Sequence, residues 1–186
     1  MKNIAVFASG KGTNARRLID FFQHSDKARV SLVLCNKAEA GVLEIAKAAG
    51  VETVILSRDS FYNSDETIRL LQKKNIGLIV LAGFLWLVPG NLVRAFPKRI
   101  INIHPALLPK FGGKGMYGAH VHKAVIDAGE KESGITIHYV NEHFDDGEQI
   151  AQFRCPVLPG DTPEILAARV QELEHAHFAE AVEKAV

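Results

Sequence analysis

Asn102 and His104 stand two residues apart in the run Ile101-Asn102-Ile103-His104-Pro105. In a strand, residues two apart project to the same face. An amide and an imidazole side by side can hold a carbonyl oxygen that turns negative in a transition state. The imidazole can also move a proton near neutral pH. The same run fits a capping Asn and a core His whose hydrogen bonds are satisfied, so these residues alone leave both readings open. A carboxylate is on offer in Phe144-Asp145-Asp146-Gly147-Glu148. An ionised Asp beside His104 would favour imidazolium and fix the tautomer, although Asp-Gly is also an ordinary turn signal.

A second feature is Ala8-Ser9-Gly10-Lys11-Gly12-Thr13-Asn14, between an apolar run and a helical pattern. Glycines there let the backbone turn tightly, and a helix N-terminus offers free N–H groups to an anion such as a phosphate. Thr13 and Asn14 can add side-chain donors. The stretch is not a P-loop, because Lys11 is followed by Gly12 and the spacing to an earlier glycine is wrong. It fits the dinucleotide fingerprint loosely, as Gly10-x-Gly12-x-x-Ala15. That fingerprint expects an acidic residue near the end of the second strand, where this chain reads Cys35-Asn36-Lys37. The mismatch weakens a nicotinamide-dependent oxidoreductase. A turn that needs glycine for geometry alone is the plainer alternative.

The chain has eight histidines. His120 and His122, and His175 and His177, look like ligand pairs. On a helix, however, residues two apart point to nearly opposite sides, and neither cysteine is spaced to join them. No metal site is expected. His138, in an alternating run, reads as a packed or polar-face residue.

These features need elements to hold them. Ile4 to Ala8, Val30 to Cys35, Val51 to Leu56, Ile76 to Leu81 and Ile100 to Ile103 read as short buried strands. Thr13 to Phe22, Gly41 to Ala49 and Asp65 to Lys74 read as the helices between them. Pro105 stops the fifth strand. The pattern changes after about residue 110. Phe111 to Gly118 holds four glycines in eight residues, a loop. His120 to Ala128 reads as helix, while Ile135 to Val140 and Gln149 to Val157 form a hairpin-like pair added to the sheet. Asp161-Thr162-Pro163-Glu164 is a strong helix start, and Leu166, Val170 and Leu173 continue it as an apolar stripe. The result is an α/β fold with a mostly parallel twisted sheet and helices on both faces.

The 186 residues suit a single domain, with 47% hydrophobic and 23% charged residues. A formal net charge of +1 gives no electrostatic case for a nucleic-acid or membrane-surface partner. No apolar run approaches the roughly 20 residues that span a bilayer. The N-terminal residues do not read as a signal peptide, and Cys35 and Cys155 lie far apart. Together they suggest reduced thiols in a cytoplasmic protein.

The string Asn102-Ile103-His104-Pro105-Ala106-Leu107-Leu108-Pro109-Lys110 resembles the signature of the folate-dependent formyltransferases. Ser9 to Asn14, Leu81-Ala82-Gly83-Phe84 and Gln171-Glu172-Leu173-Glu174-His175 are similar to the branch acting on glycinamide ribonucleotide, and the likeness runs in order across almost the whole chain. The resemblance implies the formyltransferase fold with a Rossmann-like N-terminal half. It implies a ribonucleotide phosphate side at about 1–100 and a catalytic and folate side at about 101–186. By position, the catalytic residues fall on Asn102, His104 and Asp145. The ribonucleotide contacts fall on Gly12, Thr13, Asn14, Gln171 and Glu174. The folate contacts fall on Leu85, Trp86, Leu87, Val88 and Asn102, and on the loop residues Val140, Asn141, Glu142, His143 and Phe144. The implied reaction is formyl transfer from 10-formyltetrahydrofolate, as co-substrate, to the amine of the ribonucleotide. It proceeds directly, without a covalent enzyme intermediate or a metal, with Asp145 keeping His104 protonated. A cis peptide before Pro109 and a monomer or homodimer are also implied.

Four departures from the family pattern bear on the site. Trp86 stands where the family often has Arg. An upstream Arg for the folate tail has no clean counterpart, Arg58 being nearest. The family's Asp-Gly-Gly-Pro is here Asp145-Asp146-Gly147-Glu148, with Asp145 favoured by register. The stretch from Gly112 to Gly118 is longer than the usual loop. Two rivals outside this branch are methionyl-tRNA formyltransferase, which carries a second, nucleic-acid-binding domain, and a non-catalytic module that binds a phosphate ligand.

Overall fold

The computed structural model describes residues 1–186. The first apolar run lies in strand β1 (Lys2–Ala8), followed by α1 (Thr13–Phe22), β2 (Ala28–Cys35), α2 (Gly41–Ala48) and β3 (Glu52–Ile55). A single π-helical turn (Asp59–Asn63) leads to α3 (Glu66–Lys73), β4 (Ile76–Leu81), α4 (Gly90–Ala95) and β5 (Ile100–His104). The chain ends with α5 (Ala119–Asp127), β6 (Glu132–Tyr139), β7 (Gln149–Pro156) and the long α6 (Pro163–Lys184). Every strand and helix expected from the sequence is present, with ends shifted by a few residues. The π-helical turn and α4 are additions that no apolar periodicity announced.

One seven-stranded sheet has the order β3-β2-β1-β4-β5-β6-β7. Pairings from β3 through β5 are parallel, while β6 runs antiparallel to both β5 and β7. β1 is apolar along its length because both faces are covered. Ile4, Val6 and Ala8 pack with Leu18 and Phe22 of α1 and with Val170 and Phe178 of α6. Ala5 and Phe7 face the other way, onto Leu71 of α3 and Leu92 of α4. Truncating a fully buried Phe7 to Ala should cost about 3–5 kcal/mol.

The chain leaves β1 toward β2 and β3, then returns to β4 on the other side. Ligands bind at such a reversal, outside the carboxyl ends of the strands. α6 starts where the sequence indicates, with Pro163 in its first turn and Thr162 Oγ1 accepting from the Ile165 N–H at 3.3 Å. The Leu108–Pro109 peptide is cis. No helix is long and apolar enough to cross a membrane.

Candidate active site

A cavity of about 1110 Å³ opens at the carboxyl ends of β1, β4 and β5. One small-molecule pocket commonly measures roughly 300–1,000 Å³, so this one has room for two ligands side by side. Ser9, Gly10, Leu85 to Val88, Asn102 and His104 all lie on its wall. One face of α6 and the glycine-rich segment 113–119 close it over.

Asn102 and His104 do leave β5 on one face, and Asp145 meets them. Asn102 Nδ2 donates to Asp145 Oδ1 at 3.3 Å, and His104 Nδ1 lies 3.4 Å from Asp145 Oδ2. Asp145 sits in left-handed backbone, φ 52°, which turns its side chain inward. Asp146 faces outward, toward Asn141 Nδ2 at 3.2 Å. Two backbone groups of the next loop complete the arrangement. His104 Nε2 is 2.7 Å from the Phe111 carbonyl oxygen, and the Gly113 N–H donates to Asp145 Oδ2 at 3.0 Å.

Burial is the largest influence on His104 and holds it below the ordinary imidazole range, outweighing the opposing pull of Asp145. Burial acts on Asp145 in the opposite sense, but the imidazoles of His138 and His104 and the Gly113 N–H overcome it and keep the carboxyl below its usual range. The resting site is an ionised Asp beside an imidazole that burial biases toward neutral.

Two further histidines belong to this cavity, and sequence reasoning missed both roles. His138 lies opposite Asn102 in the β5–β6 pairing, with its Nε2 3.1 Å from Asn102 Nδ2. The only local signal was its place in an alternating strand; the pairing register supplies the rest. His122, on α5, is 6% exposed, lines the cavity and has an unpartnered Nδ1. Its pKa is lowered by burial and then by His104. Ser9 was also missed: its hydroxyl accepts from the Leu85 N–H at 3.0 Å and joins the end of β1 to the segment after β4.

The residues matched to ribonucleotide binding do gather at one end. Asn14 Nδ2 donates to Glu174 Oε2 at 2.8 Å, and Gln171 Nε2 to Thr13 Oγ1 at 3.3 Å. Burial raises the Glu174 pKa against the opposing effect of Asn14. Gly12 adopts φ 80°, and a Cβ there would meet Val42 Cα at 2.7 Å, so only glycine fits the turn. Asn14, Gln171 and Glu174 line the cavity, and Gly12 and Thr13 form the turn and first helical residue that lead into Asn14.

At the other end, Leu85, Trp86, Leu87 and Val88 all line the cavity, with Val140, His143 and Phe144 from the loop. Asn141 and Glu142 lie next to these on the same loop. Asn141 accepts from the His143 N–H at 2.9 Å and builds the turn, and Glu142 pairs outside with Arg94 at 2.7 Å. The Arg58 guanidinium lies 5.0 Å over the Trp86 ring, so the nearest counterpart of the missing arginine reaches this end through a cation–π contact.

The family described as formyl transferase matches residues 2–182. A chloroplastic phosphoribosylglycinamide formyltransferase of Arabidopsis thaliana is 44% identical over 97% of this chain and 64% of its own length. The chain thus spans a little under two thirds of that plant relative. The phosphoribosylglycinamide formyltransferase of Haemophilus influenzae is 38% identical, over 94% of this chain and 82% of its own. A crystal structure of glycinamide ribonucleotide transformylase 1 from Symbiobacterium toebii superposes with a TM-score of 0.89 at 36% identity, covering 98% of this chain and 86% of that one.

Proposed function

This chain belongs to the formyl transferase family, and from that premise we propose that it moves a formyl group from 10-formyltetrahydrofolate to the amine of 5-phosphoribosylglycinamide. The products are formylglycinamide ribonucleotide and tetrahydrofolate, a step of purine biosynthesis carried out in the cytoplasm. The observation that carries this reading is the meeting of Asn102, His104 and Asp145 midway along a cavity whose two ends differ. One end has a glycine turn, a helix N-terminus and polar α6 side chains, which suit a phosphorylated ribose. The other is apolar and aromatic, which suits a flat heterocycle.

The mechanism follows from the geometry. The two ends of the cavity hold donor and acceptor so that the amine meets the formyl carbon near His104, and this proximity supplies much of the acceleration. Asn102 holds the oxygen that becomes negative in the tetrahedral intermediate, joined by His104 once it carries the second proton. His104 takes up a proton as the amine attacks. Ionised Asp145 stabilises the imidazolium that results, and His104 then gives that proton to the departing folate nitrogen. Gly12, Thr13 and Asn14 hold the phosphate, Gln171 and Glu174 the ribose and amide end. The proposed transfer is direct, with no covalent enzyme intermediate.

Formyl transfer between these two substrates, followed by folate absorbance, tests the reading with His104→Ala alongside. Turnover by the native chain and its loss in the variant are expected. Native turnover retained in His104→Ala would reject the assignment of His104. Binding of the ribonucleotide without turnover would leave only a phosphate-ligand module.

A further inference from the structure

His104 presents two nitrogens, and the structure treats them differently. Nε2 lies 2.7 Å from the Phe111 carbonyl oxygen, a distance at which only a protonated ring nitrogen is accommodated, because the carbonyl has no proton to give. Nδ1 lies 3.4 Å from Asp145 Oδ2, too far for a strong charge-assisted bond. The same turn grips the carboxylate, since the Gly113 N–H donates to that Oδ2 at 3.0 Å. Residues 111–113 thus touch both members of the pair through backbone atoms alone.

The turn is built for that contact. Phe111 and Gly113 both take positive φ, 55° and 96°. A Cβ on Gly112 between them would lie 2.5 Å from Leu108 Cδ2 and 3.2 Å from Asp145 Cβ, so the buried Leu108 and the Asp145 backbone would have to shift. A non-glycine φ of this kind persists only where its surroundings enforce it, and such positions cluster at functional sites. An imidazole anchored through one N–H to a backbone carbonyl has its tautomer set, and its other nitrogen left to work.

We propose that the Phe111-Gly112-Gly113 turn is the positioning element of the site: it holds the His104 proton on Nε2 and makes Nδ1, beside Asp145, the nitrogen that exchanges the proton during formyl transfer. This deepens the formyl-transfer reading by naming the atom and the turn that selects it. Gly112 is a positioning residue, acting only through His104 and Asp145.

Nitrogen-15 NMR of the histidine-labelled full chain, with the His104 signals identified by their loss in His104→Ala, reads the tautomer without any substrate. At a pH where His104 is neutral, the Nε2–H tautomer is expected, and an Nδ1–H tautomer would overturn the proposal. Gly112→Ala should lower kcat by about 10²-fold, as misplacement by about 1 Å does, while the KM of both substrates stays within a few-fold. Its His104 signals should move toward a tautomer mixture. Adding Leu108→Val removes the colliding Cδ atom and should recover most of the rate and the Nε2–H signal. An unchanged kcat in a folded Gly112→Ala protein would overturn the proposal. Failure of the native chain to transfer formyl would count against the function alone, because the tautomer is read independently.

Discussion

Asn102 and His138 face each other across the β5–β6 pair, with 3.1 Å between Asn102 Nδ2 and His138 Nε2. The other His138 nitrogen, Nδ1, is 2.9 Å from the Tyr139 carbonyl and so carries the proton. Nε2 is then an acceptor, and it fixes which end of the Asn102 amide is NH₂. That orientation commits the second amide hydrogen to Asp145 Oδ1 through a long 3.3 Å bond, which a developing oxyanion can take over. Asn102→Ala should lose about 10²–10³ in kcat, the usual effect of removing one oxyanion donor. His138→Phe keeps a ring in the same buried slot but removes the acceptor. Its loss should be smaller in the native background and nearly absent when Asn102 is already Ala, a coupling that a double-mutant cycle measures.

Asp145 and Asp146 are adjacent in sequence and face opposite ways, so their amides should behave differently. Asp145→Asn removes the charge that supports imidazolium and should reduce kcat by about 10²–10⁴, the range for acid–base groups. The pH profile gives the sign. Asp145 raises the His104 pKa against burial, so its removal should move the acid limb of kcat/KM to lower pH. Asp146→Asn touches only the Asn141 contact outside the cavity, and its rate and profile should match the native chain. A shift seen in Asp146→Asn alone would transfer the role to that residue.

The parallel strands were legible because a strand covered on both faces needs no polar positions, and Ile4 to Ala8 or Ile76 to Leu81 carry almost none. The start of α6 was legible because Thr162 and Pro163 act locally. The pairing of Asn102 with His104 followed from the two-residue period of β5. What escaped was whatever depends on contacts distant in sequence. His138 joins the site through strand register, 36 residues away from Asn102. The Phe111 carbonyl is a backbone atom and has no residue-type signature at all. Glu142 likewise pairs with Arg94 across 48 residues of sequence. The direction of the His104 shift depended on burial of the whole ring, to which a local string is blind.

Trp86 is the chain's one tryptophan and it lines the apolar end of the cavity. Intrinsic fluorescence therefore reports occupancy of that end. Folate-type ligands should change it on titration, whereas the ribonucleotide alone should leave it nearly unchanged. Trp86→Ala also frees Arg58 from its stack. The KM for the formyl donor should then rise by about 5- to 30-fold, since the ring's apolar contact with the ligand, roughly 1–2 kcal/mol, is lost. The KM for the ribonucleotide should stay put. A change confined to the ribonucleotide would place the two ligands the other way round.

Glu174 carries opposite consequences for stability and for binding. Its carboxyl is buried, and burial raises its pKa in the folded chain. A folded-state pKa above the unfolded one means that the unfolded chain holds fewer protons between the two values, so stability falls as pH rises through that window and stays lower above it. Glu174→Gln removes the charge while keeping an oxygen for Asn14 Nδ2. The variant should melt higher than the native chain at pH 7, with the difference shrinking as pH falls below the ordinary glutamate range. Each kcal/mol recovered raises Tm by roughly 2–4 °C at this chain length. Binding should move the other way. A charged acceptor for ribose hydroxyls is lost, and hydrogen bonds to charged groups contribute roughly 1.5–3 kcal/mol, so the ribonucleotide KM should rise by about tenfold or more. Calorimetric melts at pH 4 and pH 7, with KM measured on the same preparations, test both halves. A lower Tm at pH 7 would mean that the Asn14 bond outweighs the burial of the charge.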